Sequence, residues 1–214
     1  MSHKLSGAVF WFTRLAKDNS RDFWARERDA YRLDVREPFV ALLAIVDPGR
    51  HETWSIYRPH RDTRFSADQS PLKTFIGAVR VDADGTGRYL QLSADGILAA
   101  SGAPYFAPDQ LRRWREAVAD ERGITLAEAV TYAESRGLTV GPGRAPTLRT
   151  APRGIDPTHP RVGLLRWKGI DASVRVAADD DAASAVTKAW RDAEPLRQWC
   201  AEYVGPSALE RPRR

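Results

Sequence analysis

Cys200 is the chain's one cysteine, so no intrachain disulfide can form and nothing in the sequence asks for an oxidising compartment. Long apolar runs are missing too: no stretch nears the ~20 residues that span a bilayer. The apolar start, Ala8-Val-Phe-Trp-Phe12, is too short for a signal core and runs at once into Arg14 and Lys17. These absences exclude a membrane partner and point to the cytoplasm. The four histidines, His3, His51, His60 and His159, lack i, i+4 partners, so no metal set is legible. Gly85-Thr-Gly87 and Gly141-Pro-Gly143 stop short of the third Gly or the Lys of a phosphate loop and read as turns. There is no nucleophile elbow, internal repeat or low-complexity tract, and no cofactor is expected.

What is present is enough to build a core. Of 214 residues 43% are hydrophobic, and seven Trp and seven Phe argue against disorder. Leu5, Val9, Phe12 and Leu15 predict a first helix. Ser20 is placed to cap a second helix carrying Phe23, Trp24 and Tyr31, and Pro38 suits the first turn of a third over 38–46. Strands are expected at 53–58, 75–81, 88–93 and 97–100, the last two joined through Asp95-Gly96. Helices return over 108–119 and 125–135, the latter opened by the box Thr125-Leu-Ala-Glu128 and stopped by Gly137. Strands at 162–166 and 172–176 follow. The triplet from Asp179 to Asp181 sits at a final helix start, and Pro195 breaks that helix. Trp114, Trp190 and Trp199 read as core. The pattern predicts one α+β domain over 1–205, a central antiparallel sheet flanked by N-terminal and C-terminal helices, with a frayed basic tail at 206–214.

The net charge is only +5, but it is segregated. Residues 56–80 hold five basic and two acidic side chains, and residues 142–169 hold six basic and one acidic. Together they carry +8, so the rest of the chain is net negative. The first segment sets Arg58, Arg61, Arg64, Ser66, Lys73 and Thr74 in a connection long enough to suggest function. The second offers Arg153, His159, Arg161 and Lys168, stiffened by Pro152, Pro157 and Pro160. Guanidinium forks match carboxylates and phosphates, and hydroxyls add neutral donors. Arg61, Arg64, Lys73 and Arg153 form the expected anion clamp, with Arg58, Ser66, Thr74 and Lys168 as further ligand contacts. Asp62 is the candidate base or orienter of Arg64, and His159 is the candidate acid–base group.

Several motifs in order resemble one bacterial and fungal family, that of domain of unknown function 2461. They are Asp18-Asn-Ser-Arg-Asp-Phe-Trp24, Val35-Arg-Glu-Pro38, the stretch from Arg61 to Thr74, Tyr89-Leu-Gln-Leu-Ser-Ala-Asp-Gly96, Ala151-Pro-Arg-Gly154, His159-Pro160 and Leu164-Leu-Arg-Trp-Lys168. Arg61, Asp62, Arg64, Lys73, Arg153 and Lys168 match. Gln69 and Leu72 stand where the family usually has Lys and Tyr, and Phe23-Trp24 is swapped. Those departures weaken any claim of chemistry at 69 and 72. The resemblance implies an α+β fold and no particular reaction. The expected function is binding of a small phosphate- or carboxylate-bearing ligand, in an enzyme of unidentified reaction or a non-enzymatic protein. Two alternatives stand beside it. One is a non-catalytic module contacting protein or nucleic acid through the same basic face. In the other, Asp62 and Asp68 pair with the arginines in a structural network that Phe65 plugs into the core.

Overall fold

The computed structural model describes residues 2–64 and 67–209. The first helix, α1 (Ser2–Lys17), buries Leu5, Ala8, Trp11, Phe12 and Leu15 on one face. Helix α2 (Arg21–Ala30) begins as expected: the Ser20 hydroxyl accepts from the Phe23 amide at 3.0 Å. It does not end before Pro38. It passes without a break through a π-helical turn, Tyr31–Arg36, into α3 (Glu37–Val46). In that turn the Glu37 amide bonds back to the Arg32 carbonyl. A wider turn just ahead of Pro38 eases the clash its ring would make with the carbonyl of Asp34 at α spacing.

A short 3₁₀ turn, His51–Thr53, then leads to the sheet. Its strands are β1 (Ser55–Ile56), β2 (Phe75–Val81), β3 (Gly87–Ser93), β4 (Gly96–Ala103), β5 (Thr139–Gly141) and β6 (Ile170–Val176). The six are antiparallel, in the order β1-β2-β3-β4-β6-β5. The register pairs Ser55 with Val79 and Val140 with Ala172. The remaining helices are α4 (Pro108–Ala119), α5 (Arg122–Ser135), α6 (Val162–Leu165), α7 (Ala182–Asp192) and α8 (Glu194–Tyr203). Helices flank the sheet, and the protein is α+β.

Some local expectations give way. The strand over 53–58 shrinks to two residues, because 51–53 coils and Trp54 is drawn into the core by a 2.9 Å bond to Asp47. Helix α5 starts three residues before Thr125, where Asp120 accepts from the Arg122 amide at 2.9 Å. Thr125 caps nothing; its hydroxyl donates back to the Arg122 carbonyl. Residues 162–165 form a helical turn rather than a strand, closed by the Leu165 amide on the Arg161 carbonyl. Strand β5 was not expected; it ends at Gly141, where the Gly141-Pro-Gly143 turn begins. Gly137 does stop α5, at φ +87°.

The chain forms two compact units, one of residues 1–80, 89–99 and 175–188, the other of 81–88, 100–174 and 189–214. In the first, Trp11 is the hub of an aromatic cluster with Phe12, Phe23 and Tyr31, at centroid distances of 5.1–5.6 Å. In the second, Trp114 meets Phe106 and Trp199 at 5.0 and 5.6 Å, amid Val118, Leu126, Leu165 and Ile170. Cys200 lies inside this second core, and burial pushes its thiol up to about 12, which leaves it unreactive. Of the expected tail, residues 206–208 bond to α4 through Arg113 and Asp109, and residues 210–214 lie outside the described residues. Among the described residues, no helix is long and apolar enough to cross a membrane.

Candidate functional site

The two basic segments fall in different compact units, residues 57–74 in the first and 142–168 in the second. The first is an extension of the β1–β2 hairpin. The Lys73 amide reaches the Pro59 carbonyl at 2.8 Å, the Arg61 amide reaches Pro71 at 2.9 Å, and His60 bridges to Leu72. Asn19 clamps both the amide and the carbonyl of Leu72, whose side chain is buried, and the Trp24 ring packs edge-on to His60. Leu72 is therefore a core residue and Gln69 a strut to the Thr63 carbonyl.

Within this frame the charges find partners at home. Arg61 meets Asp68 at 2.5 Å. Arg64 grips Asp62 side-on, with Nε and Nη2 at 2.9 and 2.7 Å from its two oxygens. Those bonds, with a further one from the Arg64 amide, lower the Asp62 carboxyl to about 2, too acidic for a useful base near neutrality. The Lys73 ammonium donates to the carbonyls of Arg58 and His60 at 2.7 and 2.6 Å. Partial burial and then the charges of Arg58 and Arg61 lower its pKa. Arg58 is exposed and makes no ion pair among the described residues, and Thr74, next to Lys73 in sequence, is exposed too. Ser66, like Phe65, lies outside the described residues. The charge pairing expected of a structural network is thus present at Asp62 and Asp68.

In the second unit the proline-stiffened segment is docked on the C-terminal end of α4. Arg161 spans the orphan carbonyls there, its Nε on Val118 at 2.7 Å and Nη2 on Asp120 at 2.8 Å, where a cation also suits the helix dipole. His159 works alongside it. Its Nε2 bonds to the Ala119 carbonyl at 3.1 Å and its Nδ1 accepts from the Arg161 amide at 3.0 Å. With both ring nitrogens engaged, the imidazole is a strut, and neither nitrogen is presented to a substrate. Arg166 is likewise used on the Leu148 carbonyl. Lys168 is half-buried, and its own carbonyl receives the Phe106 amide. The backbone around it runs close to Pro104, whose carbonyl would lie 2.4 Å from a Cβ on Gly143. That contact, not a phosphate cradle, explains the Gly141-Pro-Gly143 turn.

This docking leaves Arg153 on the wall of an open groove of about 560 Å³. The other wall is one face of α4. Pro108, Leu111, Ala119 and Ile155 supply the apolar lining; Arg112, Arg115, Glu116 and Arg153 supply the charge. Arg112 pairs with Glu116 at 3.0 Å. Arg115 and Arg153 make no hydrogen bond or ion pair among the described residues. The Nε of Arg115 is buried with no acceptor, and desolvation lowers the pKa of its guanidinium. Such an orphaned donor is rare in folded proteins and costly to keep.

A comparison with protein families matches residues 8–199 to the one described as "Conserved hypothetical protein (DUF2461)". The chain belongs to that family. No curated protein and no solved structure matches it. Membership accounts for the ordered motifs and leaves the groove to be argued from its own chemistry. Of the arginines on this groove, the sequence reading named Arg153 and did not name Arg112 or Arg115. Their spacing on α4, with Pro108, Leu111 and Ala119 at helical intervals, resembles any solvated helix face. Nothing local shows that a distant loop will cover it. Among the described residues no group of three His, Cys, Asp or Glu side chains gathers in a metal-binding arrangement.

Proposed function

We propose that this protein binds a small phosphate- or carboxylate-bearing ligand, and that the anion is received by Arg115 and Arg153 in the α4 groove. The observation that supports the reading is two guanidinium groups, those of Arg115 and Arg153, on one concave surface and without an ion pair among the described residues. Arg112 and Glu116 cancel, so the groove keeps two positive charges for the ligand. Groove size also suits a small molecule, since ligand pockets run about 300–1,000 Å³. The hairpin segment enters this reading as a scaffold: Arg61 and Arg64 already hold carboxylates, and Lys73 holds carbonyls. No reaction is assigned, because Asp62 is too acidic and His159 is fully engaged.

Thermal unfolding in chloride-poor buffer, against a series of phosphates and carboxylates, tests this. A true ligand at 100 times its Kd raises stability by about 2.7 kcal/mol. Arg153→Ala and Arg115→Ala abolish that rise while melting near wild type without ligand. Melting curves that no anion moves would sink the reading.

A further inference from the structure

We infer that the face of strands β1, β2 and β3 beside the basic hairpin docks single-stranded nucleic acid, with bases stacked on Tyr57, Phe75 and Tyr89 and phosphates received by Arg58 and Lys73. These residues belong to the first compact unit and the α4 groove to the second, so neither site depends on the other. Strand alternation makes the face. Along β2, Ile76, Ala78 and Arg80 are buried, Arg80 against Asp47, while Phe75 and Val79 stay half-buried on the opposite side. Along β3, Leu90 and Leu92 are buried, and Tyr89 and Gln91 are half-buried. The register that pairs Ile56 with Ala78 sets Tyr57 across from Gly77, where its amide donates to the Gly77 carbonyl at 2.8 Å. Gly77 lets the rings share this surface. A Cβ there would lie 3.0 Å from the Tyr89 hydroxyl and 3.3 Å from the Phe75 ring, so both rings lean across the bare glycine. Tyr57 and Tyr89 stand 6.2 Å apart between centroids, and the Tyr89 hydroxyl, donating to Gln91 Oε1 at 2.8 Å, fixes its ring.

Cations gather at one end of the face. Residues 57–74 hold four of them against two acids, and Arg61 and Arg64 already bind both acids. That leaves Arg58, exposed and without an ion pair among the described residues, and Lys73, whose ammonium lies 2.7 Å from the Arg58 carbonyl. After partial burial, the charges of Arg58 and Arg61 lower the Lys73 pKa, as expected where cations outnumber acids. A phosphate placed there relieves that repulsion. Three rings beside two available charges fit a strand and not a duplex. Unpaired bases stack on aromatic side chains, whereas paired bases keep their faces inside the helix.

Fluorescence anisotropy of the full chain with a short labelled oligo-dT, an abasic strand of the same length and a duplex tests this. Oligo-dT is expected to bind at least about tenfold tighter than the abasic strand, the scale of one stacked base. Its affinity falls with salt at a slope of about −1.4, two phosphates at about −0.7 each. Tyr57→Leu and Tyr89→Leu each weaken oligo-dT by about tenfold, and Tyr57→Phe, which keeps a ring, does not. Arg58→Ala weakens oligo-dT and the abasic strand alike, and Arg153→Ala changes neither. Arg58 is exposed and pairs with no acid among the described residues, so its variant folds. Melting of each variant without nucleic acid separates lost binding from lost fold. An abasic strand that binds as tightly as oligo-dT overturns the stacking. Oligo-dT binding that ignores Tyr57→Leu, Tyr89→Leu and Arg58→Ala overturns the location. A duplex that binds as tightly as the strand, or AMP that displaces it at equal affinity, overturns the choice of occupant. No binding of oligo-dT overturns the inference outright and leaves the α4 groove untouched.

Discussion

Asp47 illustrates how much a single residue organises. It closes α3, accepts from the Trp54 indole at 2.9 Å, and pairs with Arg80. Asp47 and Arg80 keep only 8% and 5% of their side-chain surface exposed. A buried pair adds little net stability when made, but removing one partner leaves a charge in low dielectric. Asp47→Asn keeps an acceptor for Trp54 and removes the charge facing Arg80. Urea unfolding is expected to show a loss of about 3–5 kcal/mol, and an unchanged midpoint would place that pair outside the fold's energetics. At this scale the sequence speaks clearly only where the partner is near in the chain. Ser20 was legible as a cap because its acceptor role lies three residues away. Asp62 and Arg64 were legible as a pair for the same reason. Arg80 with Asp47 spans 33 residues and was not.

Among the elements, β6 carries an acid in an awkward place. Asp171 sits opposite Gly141 in the β5 register. Burial raises its pKa, and the charge of Arg144 only partly opposes that. An acid with a raised folded pKa binds its proton more tightly in the native state. Stability therefore falls as pH climbs from the unfolded value, about 3.9, through the folded one. Asp171→Asn removes that penalty. It is expected to melt above wild type at pH 7, with the difference closing as pH falls below about 4. A difference that persists in acid would assign the gain to something other than ionisation. The elements also show where periodicity misleads. Apolar Val162, Leu164 and Leu165 passed for a strand, yet Arg161 and His159, held on α4, wind them into a turn of helix. Helix α5 began early because Asp120, and not Thr125, met its first free amide.

For the whole molecule the issue is what its net +5 charge serves. Two segments hold the excess, and a nucleic-acid face is the alternative to a small-anion site that such segregation leaves open. Their side chains are largely committed: Arg61 and Arg64 to acids, Arg80 to Asp47, Arg161 and Arg166 to carbonyls. A duplex binder needs many phosphates neutralised at once, and its affinity falls with a salt slope near −0.9 per phosphate. Fluorescence anisotropy with a labelled duplex is therefore expected to show no binding at physiological salt. A tight complex with a slope of several units would replace the small-ligand reading with an interaction surface.

The sequence by itself determined the α+β class, the family, most helices and the hairpin strands, and the identity of Arg153 as a cation on a stiff loop. Those follow from periodicity, caps and turns, which act over a few residues and survive in a linear text. Only the tertiary structure decided which arginines keep their charge available. That depends on which acids and carbonyls the folded chain carries to each guanidinium, and distance along the chain does not encode distance in space. Arg115 became a candidate site because the segment from Arg153 to Arg161 folds across α4, and no local pattern at Arg115 records that meeting.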